Sequence, residues 1–204
     1  MHPEAITLKQ QKVFDRLKKF PEYYLAGGTA LALQIGHRIS VDFDFFSLKK
    51  IPPGLLARIR KIFKESKIEI IVNHSKQLTV NIDGVNLTIV KYPFPPMFAL
   101  KDYKGVKLLS ISEIAAAKAY ILGRRATLKD YVDLYYVLKE KYLTLVKLIR
   151  MAEKQYEEFD PRLFMEQLIY LKDVEDAKVQ FLKKSVTKDQ LQAFFEKEIS
   201  KLKL

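Results

Sequence analysis

The amino-acid sequence predicts an α+β fold, in which a mixed β-sheet occupies the first half of the chain and helices occupy the second half. In several short segments before residue 91, apolar and polar residues alternate with the period of a strand. From Ser110 onward, apolar residues recur at helical spacing instead. Between these regions, the prolines of Tyr92–Pro96 cannot continue a central strand. We therefore expect a sheet domain over residues 1–104 and a helical domain over residues 105–204.

The first half opens with a helix and a compact unit of strand, turn, helix and strand. Residues 5–20 space their apolar side chains as an amphipathic helix does, and Pro21 ends that helix. Short apolar runs on either side of a glycine pair predict the next elements, which are a strand over Tyr23–Ala26, a turn at Gly27-Gly28-Thr29, a helix over Ala30–Ile35 and a strand over Val41–Phe46.

A second group of elements completes the predicted sheet. Residues 55–65 form an amphipathic helix, and Ile68–Val72 alternates as a strand. Asp83-Gly84 lies between two alternating arms, and this dipeptide is a strong signal for a two-residue hairpin. We expect the sheet to end at Tyr92 and a loop to lead from there to Ser110.

The second half is predicted to be helical throughout. Ser110 with Glu113, and Thr127 with Asp130, have the spacing of capping boxes that begin helices. Gly123 suits the end of the first of these helices. The expected helices cover residues 110–122, 127–140, 143–157, 160–171 and 187–202.

Composition limits the kinds of site and partner. The chain has no cysteine and few histidines, which excludes disulfides and thiolate sites and points any metal to oxygen ligands. Its net charge of +12 attracts polyanions such as nucleic acids, although abundant lysine and glutamate are equally typical of heat-adapted proteins. Because no apolar run is long enough to span a membrane and no export signal is evident, we expect a cytoplasmic protein with no membrane partner.

Asp42 and Asp44 are the candidate metal ligands. One residue separates them in a predicted strand, so both carboxylates project from the same face. Paired carboxylates without histidine or cysteine favour Mg²⁺ or Mn²⁺, which also accept phosphate oxygens from a nucleotide. An Asp-x-Asp pair also occurs by chance on surface strands and turns.

Gly27, Gly28 and Thr29 are the candidate phosphate site. They precede a helix, where backbone amides and the positive end of the helix dipole commonly hold phosphate. The alternative is a tight glycine turn with Thr29 as the helix N-cap. The turn and the two aspartates together place triphosphate and metal at the same end of one sheet, which neither motif predicts alone.

Four stretches of the chain carry a family resemblance. They are Leu25–Leu33 (LAGGTALAL), His37–Phe46 (HRISVDFDFF), a block made of Lys118, Arg125 and Lys129–Leu134 (KDYVDL), and a C-terminal stretch made of Leu168–Tyr170, Asp173 and Glu175-Asp176. Together they resemble the AbiEii/AbiGii toxin-like nucleotidyltransferases, a branch of the polymerase-β-like superfamily. The resemblance implies a nucleotidyltransferase-fold domain before the helical domain, and Mg²⁺-dependent transfer of a nucleotide from an NTP. It further implies a toxin that is paired with an antitoxin and acts on RNA such as tRNA.

Motifs and resemblance together define the predicted site. Lys118 and Arg125 are seven residues apart, so on one helix they would share a face and neutralise a leaving pyrophosphate. Asp130 has two equally supported roles, which are to orient Lys118 and to complete the capping box. Arg38 could contact the nucleotide or form a structural salt bridge. The predicted residues are Gly27, Gly28 and Thr29 for the triphosphate, Asp42 and Asp44 for the metal, Arg38, Lys118 and Arg125 for other nucleotide contacts, and Asp130 as a further catalytic residue.

The sequence departs from the wider superfamily in one respect. A third carboxylate is usual on a neighbouring strand, where it assists deprotonation of the attacking hydroxyl, but the predicted strand Val85–Val90 offers only Asn86 and Thr88. Glu69 and Asp83 are the candidate substitutes. Without them, the enzyme would rely on substrate positioning and two metal ligands, or it would have lost turnover.

Three functions remain open at this stage. The first is transfer of an NMP from an NTP to an RNA 3′ end. The second is the same transfer to a hydroxyl side chain of a protein. The third is a catalytically silent module that binds nucleotide or RNA, against which the intact Asp42, Asp44 and Lys118 argue.

Overall fold

A computed structural model describes residues 1–122, 124–125 and 127–202, and it confirms the predicted α+β fold with a mixed sheet. The chain divides into two compact units, residues 1–110 and 111–204. Gly123, expected to end a helix, lies outside the described residues.

The first unit combines helices with all the strands found in the described part of the chain. After a 3₁₀ turn at Pro3–Ala5, its elements are α1 (Leu8–Leu17), β1 (Tyr24–Ala26), α2 (Gly27–Ile35), β2 (Phe43–Ser47), α3 (Leu55–Ile62), β3 (Ile68–His74), β4 (Gln77–Ile82), β5 (Val85–Lys91), β6 (Lys101–Tyr103) and β7 (Val106–Leu108).

The strands form one sheet in the order β3–β4–β5–β2–β1–β7–β6. Strand β2 is central, antiparallel to β1 on one side and parallel to β5 on the other. Phe43 and Phe45 of β2 are buried, and the Phe14 ring of α1 lies 6.0 Å from the Phe43 ring, so α1 covers this face. Side chains at alternate positions, including Asp44, therefore project from the opposite face.

The predicted Asp83-Gly84 hairpin is confirmed. Strands β4 and β5 pair directly on either side of it, and both turn residues have positive φ, 50° and 88°. Positive φ at both central positions is what a type I′ turn requires, and Asp-Gly supplies it at little cost.

The prediction of a loop between Tyr92 and Ser110 was wrong, because β6 and β7 form a hairpin there. Lys104 and Gly105 make its turn, with φ of 54° and 80°. Strand β7 also pairs in parallel with β1, so this hairpin belongs to the sheet. The first unit therefore extends to Ser110. The turn was missed because lysine is not a residue that typically adopts positive φ.

Helix α1 is shorter than the residues 5–20 expected from its periodicity. Thr7 caps it, and the Gln10 side chain accepts a hydrogen bond from the Thr7 backbone N–H at 2.9 Å, which completes a capping box. The cap begins the helix at Leu8 although apolar residues continue before it.

The second unit is helical, as predicted, with each helix within a few residues of its expected bounds. Thr144, Asp160 and Thr187 cap the last three helices with their side chains. No helix in the described ranges is long and apolar enough to cross a membrane. The helices are α4 (Ile111–Leu122), α5 (Leu128–Lys139), α6 (Leu145–Gln155), α7 (Pro161–Ile169) and α8 (Lys188–Ile199).

Candidate active site

Asp42 and Asp44 lie at the start of the central strand β2. Asp44 is within the strand, whereas Asp42 comes one residue before it, so the prediction that the strand begins at Val41 was wrong. Both aspartates are half-buried and Phe43 between them is buried. This burial pattern fits two carboxylates on one face and an apolar anchor on the other.

The glycine turn lies directly against Asp44. Ala26 of β1 pairs with Asp44, and the next residue, Gly27, begins helix α2 with a φ of 64°. A Cβ built on Gly27 would lie only 2.9 Å from Asp44 Oδ2. The amides of the first helical turn, which have no partner within their own helix, therefore start beside a candidate metal ligand.

Thr29 holds the segment that leads to Asp42. Its buried hydroxyl donates to the Asp42 carbonyl oxygen and lies 2.8 Å from Ser40 Oγ. The Ser40 carbonyl accepts from Gln10 Nε2 at 2.6 Å, and the Ser40 N–H donates to the Ala5 carbonyl at 2.9 Å. The Thr29 hydroxyl is therefore committed to this segment, and a role in phosphate binding would fall to the Thr29 backbone N–H.

Gln10 and Ser40 were not among the residues predicted for the site. Gln10 is a buried polar residue on α1, 30 positions from its partner in the sequence. The sequence signal that could have indicated Gln10 is a polar residue placed among the buried apolar residues of α1. Their hydrogen bonds fix an irregular segment that secondary structure alone would leave unsupported.

Arg38 lies over the second glycine. A Cβ on Gly28 would be 2.5 Å from Arg38 Nη2 and 3.3 Å from Ser40 Oγ. The Arg38 side chain is buried, and its Nη1 donates to the Ile39 carbonyl at 3.2 Å. A guanidinium is therefore held beside the amides at the start of α2, where its charge favours an anion.

Neither candidate for a third carboxylate reaches the aspartate pair. Glu69 is on β3, which is separated from β2 by β4 and β5, and it forms an ion pair with Lys67 at 2.6 Å. Asp83 lies in the hairpin turn and accepts from the Lys67 N–H at 2.9 Å. Within the described ranges, no three His, Cys, Asp or Glu side chains are grouped to hold a metal ion.

The donor set nevertheless suits a hard divalent cation. Asp42 and Asp44 supply carboxylate oxygens on one face, and the amides beside Gly27 can hold phosphate groups whose oxygens complete the coordination. Mg²⁺ usually binds through one or two carboxylates together with water and substrate phosphate. The residues present therefore fit Mg²⁺ or Mn²⁺ that arrives with a nucleotide.

A largely buried charge cluster joins α4 and α5 in the second unit. Lys118 of α4 lies 2.6 Å from Asp130 Oδ1 and 2.8 Å from Asp133 Oδ2, both on α5. Asp133 is fully buried and Lys118 is 7% exposed. The second oxygen of Asp130 accepts from the Thr127 N–H and hydroxyl, so Asp130 supports Lys118 and caps α5 at the same time.

Tyr131 of α5 lies next to this cluster in the sequence and is fully buried. Its hydroxyl donates to the Gln167 carbonyl at 2.9 Å. Burial, with a smaller contribution from the Asp130 charge, raises the pKa of Tyr131 to about 12.

Arg125 does not share a helix face with Lys118, which corrects the prediction from their spacing. Helix α4 ends at Leu122, and Arg125 is an exposed residue beyond it whose N–H donates to the Ile121 carbonyl at 2.9 Å. The seven-residue spacing places both residues on one face only if the helix is unbroken, whereas this helix was itself predicted to end at Gly123.

Comparison with known proteins gives a family match over nearly the whole chain. The model of the nucleotidyl transferase AbiEii toxin family, of type IV toxin–antitoxin systems, matches residues 12–203. The Aquifex aeolicus protein aq_aa25 is 29% identical over 157 residues, which are 76% of each chain.

Solved structures share the fold. MenT4, a nucleotidyltransferase toxin of Mycobacterium tuberculosis, superimposes with a TM-score of 0.64 at 15% identity over 96% of this chain and 82% of its own. A protein from H. pylori assigned as a nucleotidyltransferase gives 0.61 at 22% identity, over 98% and 97% of the two chains. At such identities the likeness concerns the fold alone.

Proposed function

The chain belongs to the AbiEii family of nucleotidyl transferase toxins and is a nucleotidyltransferase, and from this premise we propose that it moves an NMP from an NTP to an RNA 3′ end as the toxin of a toxin–antitoxin pair. NTP, an RNA such as tRNA, and a cognate antitoxin are the proposed partners. Since both substrates are found in the cytoplasm, we propose that the protein acts there.

One observation carries the nucleotide-binding part of this proposal. The carboxylate of Asp44 lies against Gly27, where the first turn of α2 begins. A triphosphate bound to the amides of Gly27, Gly28 and Thr29 would have its oxygens beside Asp44, and Arg38 would balance part of its charge. Phosphate binding and metal binding are thus two parts of one site.

RNA is the proposed acceptor because of the charge of the whole chain and the family of toxins to which it belongs. A net charge of +12 attracts a polyanionic acceptor such as RNA more strongly than it attracts a neutral hydroxyl side chain of a protein. In the reaction, the acceptor hydroxyl oxygen bonds to the α-phosphorus, the bond from that phosphorus to the β-phosphate oxygen breaks, and pyrophosphate leaves. The hydroxyl proton passes to water, since the described residues place no third carboxylate beside the pair.

Asp42 and Asp44 would hold Mg²⁺ or Mn²⁺, which supplies charge stabilisation for the developing pyrophosphate and lowers the pKa of a coordinated hydroxyl. The amides at the start of α2 orient the triphosphate, so that positioning provides much of the rate enhancement. Lys118 is proposed, from the family resemblance, to contact a phosphate of the nucleotide. Asp130 and Asp133 hold its ammonium in place.

The test is transfer of label from α-labelled NTP to total RNA in the presence of Mg²⁺. Wild-type protein is expected to label RNA 3′ ends, and Asp44→Asn to lower the rate at least ~100-fold, because the change keeps the shape of the side chain but removes one charge at the metal. Asp15→Asn is the matched control, since Asp15 is exposed on α1. It should retain full activity.

The outcomes separate the alternatives. Label on protein instead of RNA would replace the acceptor and leave nucleotidyl transfer standing. Full activity of Asp44→Asn would show that the carboxylate pair is structural. Binding of NTP without transfer to any acceptor would favour the catalytically silent module.

A further inference from the structure

Next to Asp44, the neighbouring strands carry a row of uncharged polar side chains. Thr88 of β5 is in register with Asp44 of β2, and Thr79 of β4 is in register with Thr88. Residues paired in this way point to the same face of a sheet and lie about 5 Å apart from strand to strand. The row therefore begins beside a candidate metal ligand, and Thr88 occupies its nearest position.

The hydrogen bonds within this row allow the Thr88 hydroxyl to donate to a ligand. Gln77 Nε2 donates to Thr79 Oγ1 at 3.0 Å, and Thr79 Oγ1 lies 3.2 Å from Thr88 Oγ1. Either hydroxyl can donate in the contact between Thr79 and Thr88. When Thr79, which accepts from Gln77, donates its single hydrogen to Thr88, the hydrogen of Thr88 is available to a group outside the protein. Thr79 is buried, whereas Thr88 is half-buried and accessible to such a group.

Asn86 extends the same outward pattern by one step along β5. Its side-chain oxygen accepts from Asn81 Nδ2 at 2.8 Å, and its amide nitrogen makes no hydrogen bond within the described part of the chain. The half-buried residues of β5 nearest the aspartates thus present O–H and N–H donors and no charge. Such a surface offers hydrogen bonds to the neutral oxygens of a ligand and no positive charge to pair with a phosphate.

A ligand that uses both Asp44 and Thr88 must present two neighbouring oxygens. One oxygen would lie at the metal held by the aspartates, and the other would accept from the Thr88 hydroxyl. The 2′ and 3′ hydroxyls of a terminal ribose meet this requirement, whereas a serine, threonine or tyrosine side chain offers one oxygen and a deoxyribose end lacks the second. The 2′-hydroxyl is also the group by which proteins distinguish RNA from DNA.

We propose that Thr88 is a specificity-determining residue that binds the 2′-hydroxyl of the acceptor's terminal ribose, an inference that rests on the proposed transfer to RNA. The uncharged row of β4 and β5 is then the acceptor subsite, and it selects a ribose end over a deoxyribose end and over a protein hydroxyl.

The experiment compares two RNA oligonucleotides of the same sequence, one ending in ribose and the other in 2′-deoxyribose. For wild-type protein, kcat/KM of transfer should be about fivefold to tenfold higher for the ribose end, the effect of about one hydrogen bond. Thr88→Val should lower kcat/KM for the ribose end by that factor and leave the deoxyribose end unchanged. Thr88→Ser, which keeps the hydroxyl, should keep the preference.

Thr79→Val is the matched control. It removes the same bond between the two threonines but leaves the Thr88 hydroxyl in place, so a preference for ribose should persist. Equal rates for both ends with wild-type protein would overturn the proposal without any variant. A loss of preference in Thr79→Val as complete as in Thr88→Val would also overturn it, because strand packing would then be the cause.

Binding separates this inference from the proposed reaction. The affinity of the two oligonucleotides for the protein is measured by fluorescence anisotropy without NTP. A preference for ribose that Thr88→Val abolishes supports the subsite even if no transfer is detected, in which case the proposed function fails alone. If transfer to RNA occurs while rates and affinities are the same for both ends, the proposed function stands and Thr88 is not the determinant.

Discussion

Gly27 is the residue at which backbone conformation and site chemistry meet. Its φ of 64° is costly for any side chain, and an added Cβ would lie 2.9 Å from Asp44 Oδ2. We expect Gly27→Ala to lose about 1–2 kcal/mol of stability from the backbone conformation alone. Displacement of the Asp44 carboxylate should lower transfer by about 100-fold, since a shift of about 1 Å at a reacting centre has effects of this size.

The control for this variant is Gly54→Ala. Gly54 has a φ of −77° and nothing within 4 Å of an added Cβ, so its stability and activity should change little. Thermal unfolding and the transfer assay measure the two effects. If Gly27→Ala matches Gly54→Ala in both, the close approach of Gly27 to Asp44 has no functional consequence.

Lys118 and its two aspartates should behave as a buried ion cluster. Lys118→Met removes the ammonium that lies 2.8 Å from the fully buried carboxylate of Asp133, so we expect a loss of about 3–5 kcal/mol in the free energy of unfolding. Lys183→Met is the comparison in the same unit. Its pair with Glu140 is about one-third exposed, and the loss should stay within about 1 kcal/mol.

A second substitution tests the cause of that loss. Lys118→Met combined with Asp133→Leu removes both buried charges that face each other, so urea unfolding should show recovery of part of the stability lost in the single variant. If the double variant is less stable by the sum of the single losses, the two side chains act independently. Transfer activity should stay low in both variants, because neither carries the ammonium proposed to contact phosphate.

Helix α5 contains a tyrosine whose titration reports on its burial. Burial raises the pKa of Tyr131 from 10.0 to about 12, so the folded state favours the neutral phenol more than the unfolded state does. The resulting stabilisation, at most about 3 kcal/mol at ~1.4 kcal/mol per pKa unit, is fully present below pH 10 and is lost as pH rises through 12. Tyr131→Phe should lack this loss between pH 10 and 12, as measured by unfolding at several pH values.

The same variant has a cost at neutral pH. It removes the hydrogen bond to the Gln167 carbonyl, worth about 1 kcal/mol, and should lower stability by that amount without changing the fold. The ultraviolet absorbance of tyrosinate provides an independent measurement. If wild type and Tyr131→Phe lose stability in parallel above pH 10, other groups account for the alkaline transition.

At the scale of elements, the sequence predicted strongly periodic segments well and unusual turns poorly. The β4–β5 hairpin was predicted from Asp83-Gly84, whereas Lys104-Gly105 did not lead to a prediction of the β6–β7 hairpin, whose strands are each three residues long. Such short strands carry too few alternating residues for a pattern, and pairing between β7 and β1 stabilises them from a distant part of the chain. The end of α4 at Leu122 agrees with the prediction from Gly123, so the expectation that Arg125 shares a face with Lys118 extended helical periodicity beyond the predicted end of the helix.

At the scale of the whole molecule, the sequence predicted residue types of the site better than their partners. The Asp-x-Asp pair and the glycine turn are local motifs, and the structure brings Gly27 and Asp44 together. The commitment of the Thr29 hydroxyl to Ser40 and Asp42, and the bond from Gln10 to Ser40, depend on tertiary packing that no spacing reveals. The pairing of Asp133 with Lys118 was not predicted either, although Asp133 lies three residues after Asp130 and therefore on the same face of α5.

Two modes of nucleotide binding are proposed for the molecule, one at the metal held by Asp42 and Asp44 and one by the diffuse attraction of its net charge of +12, and we expect them to respond differently to metal and salt. A site built on Asp42 and Asp44 needs a divalent cation, because two carboxylates repel a triphosphate until a metal lies between them. Diffuse attraction by lysine and arginine needs no metal and weakens steeply as salt rises. We therefore expect calorimetry at about 0.15 M salt to detect NTP binding with Mg²⁺ or Mn²⁺ and none after EDTA is added. Asp44→Asn should weaken this binding and Asp15→Asn should not, whereas binding that survives EDTA but disappears at high salt would assign the nucleotide to the basic surface and remove the metal site from the mechanism.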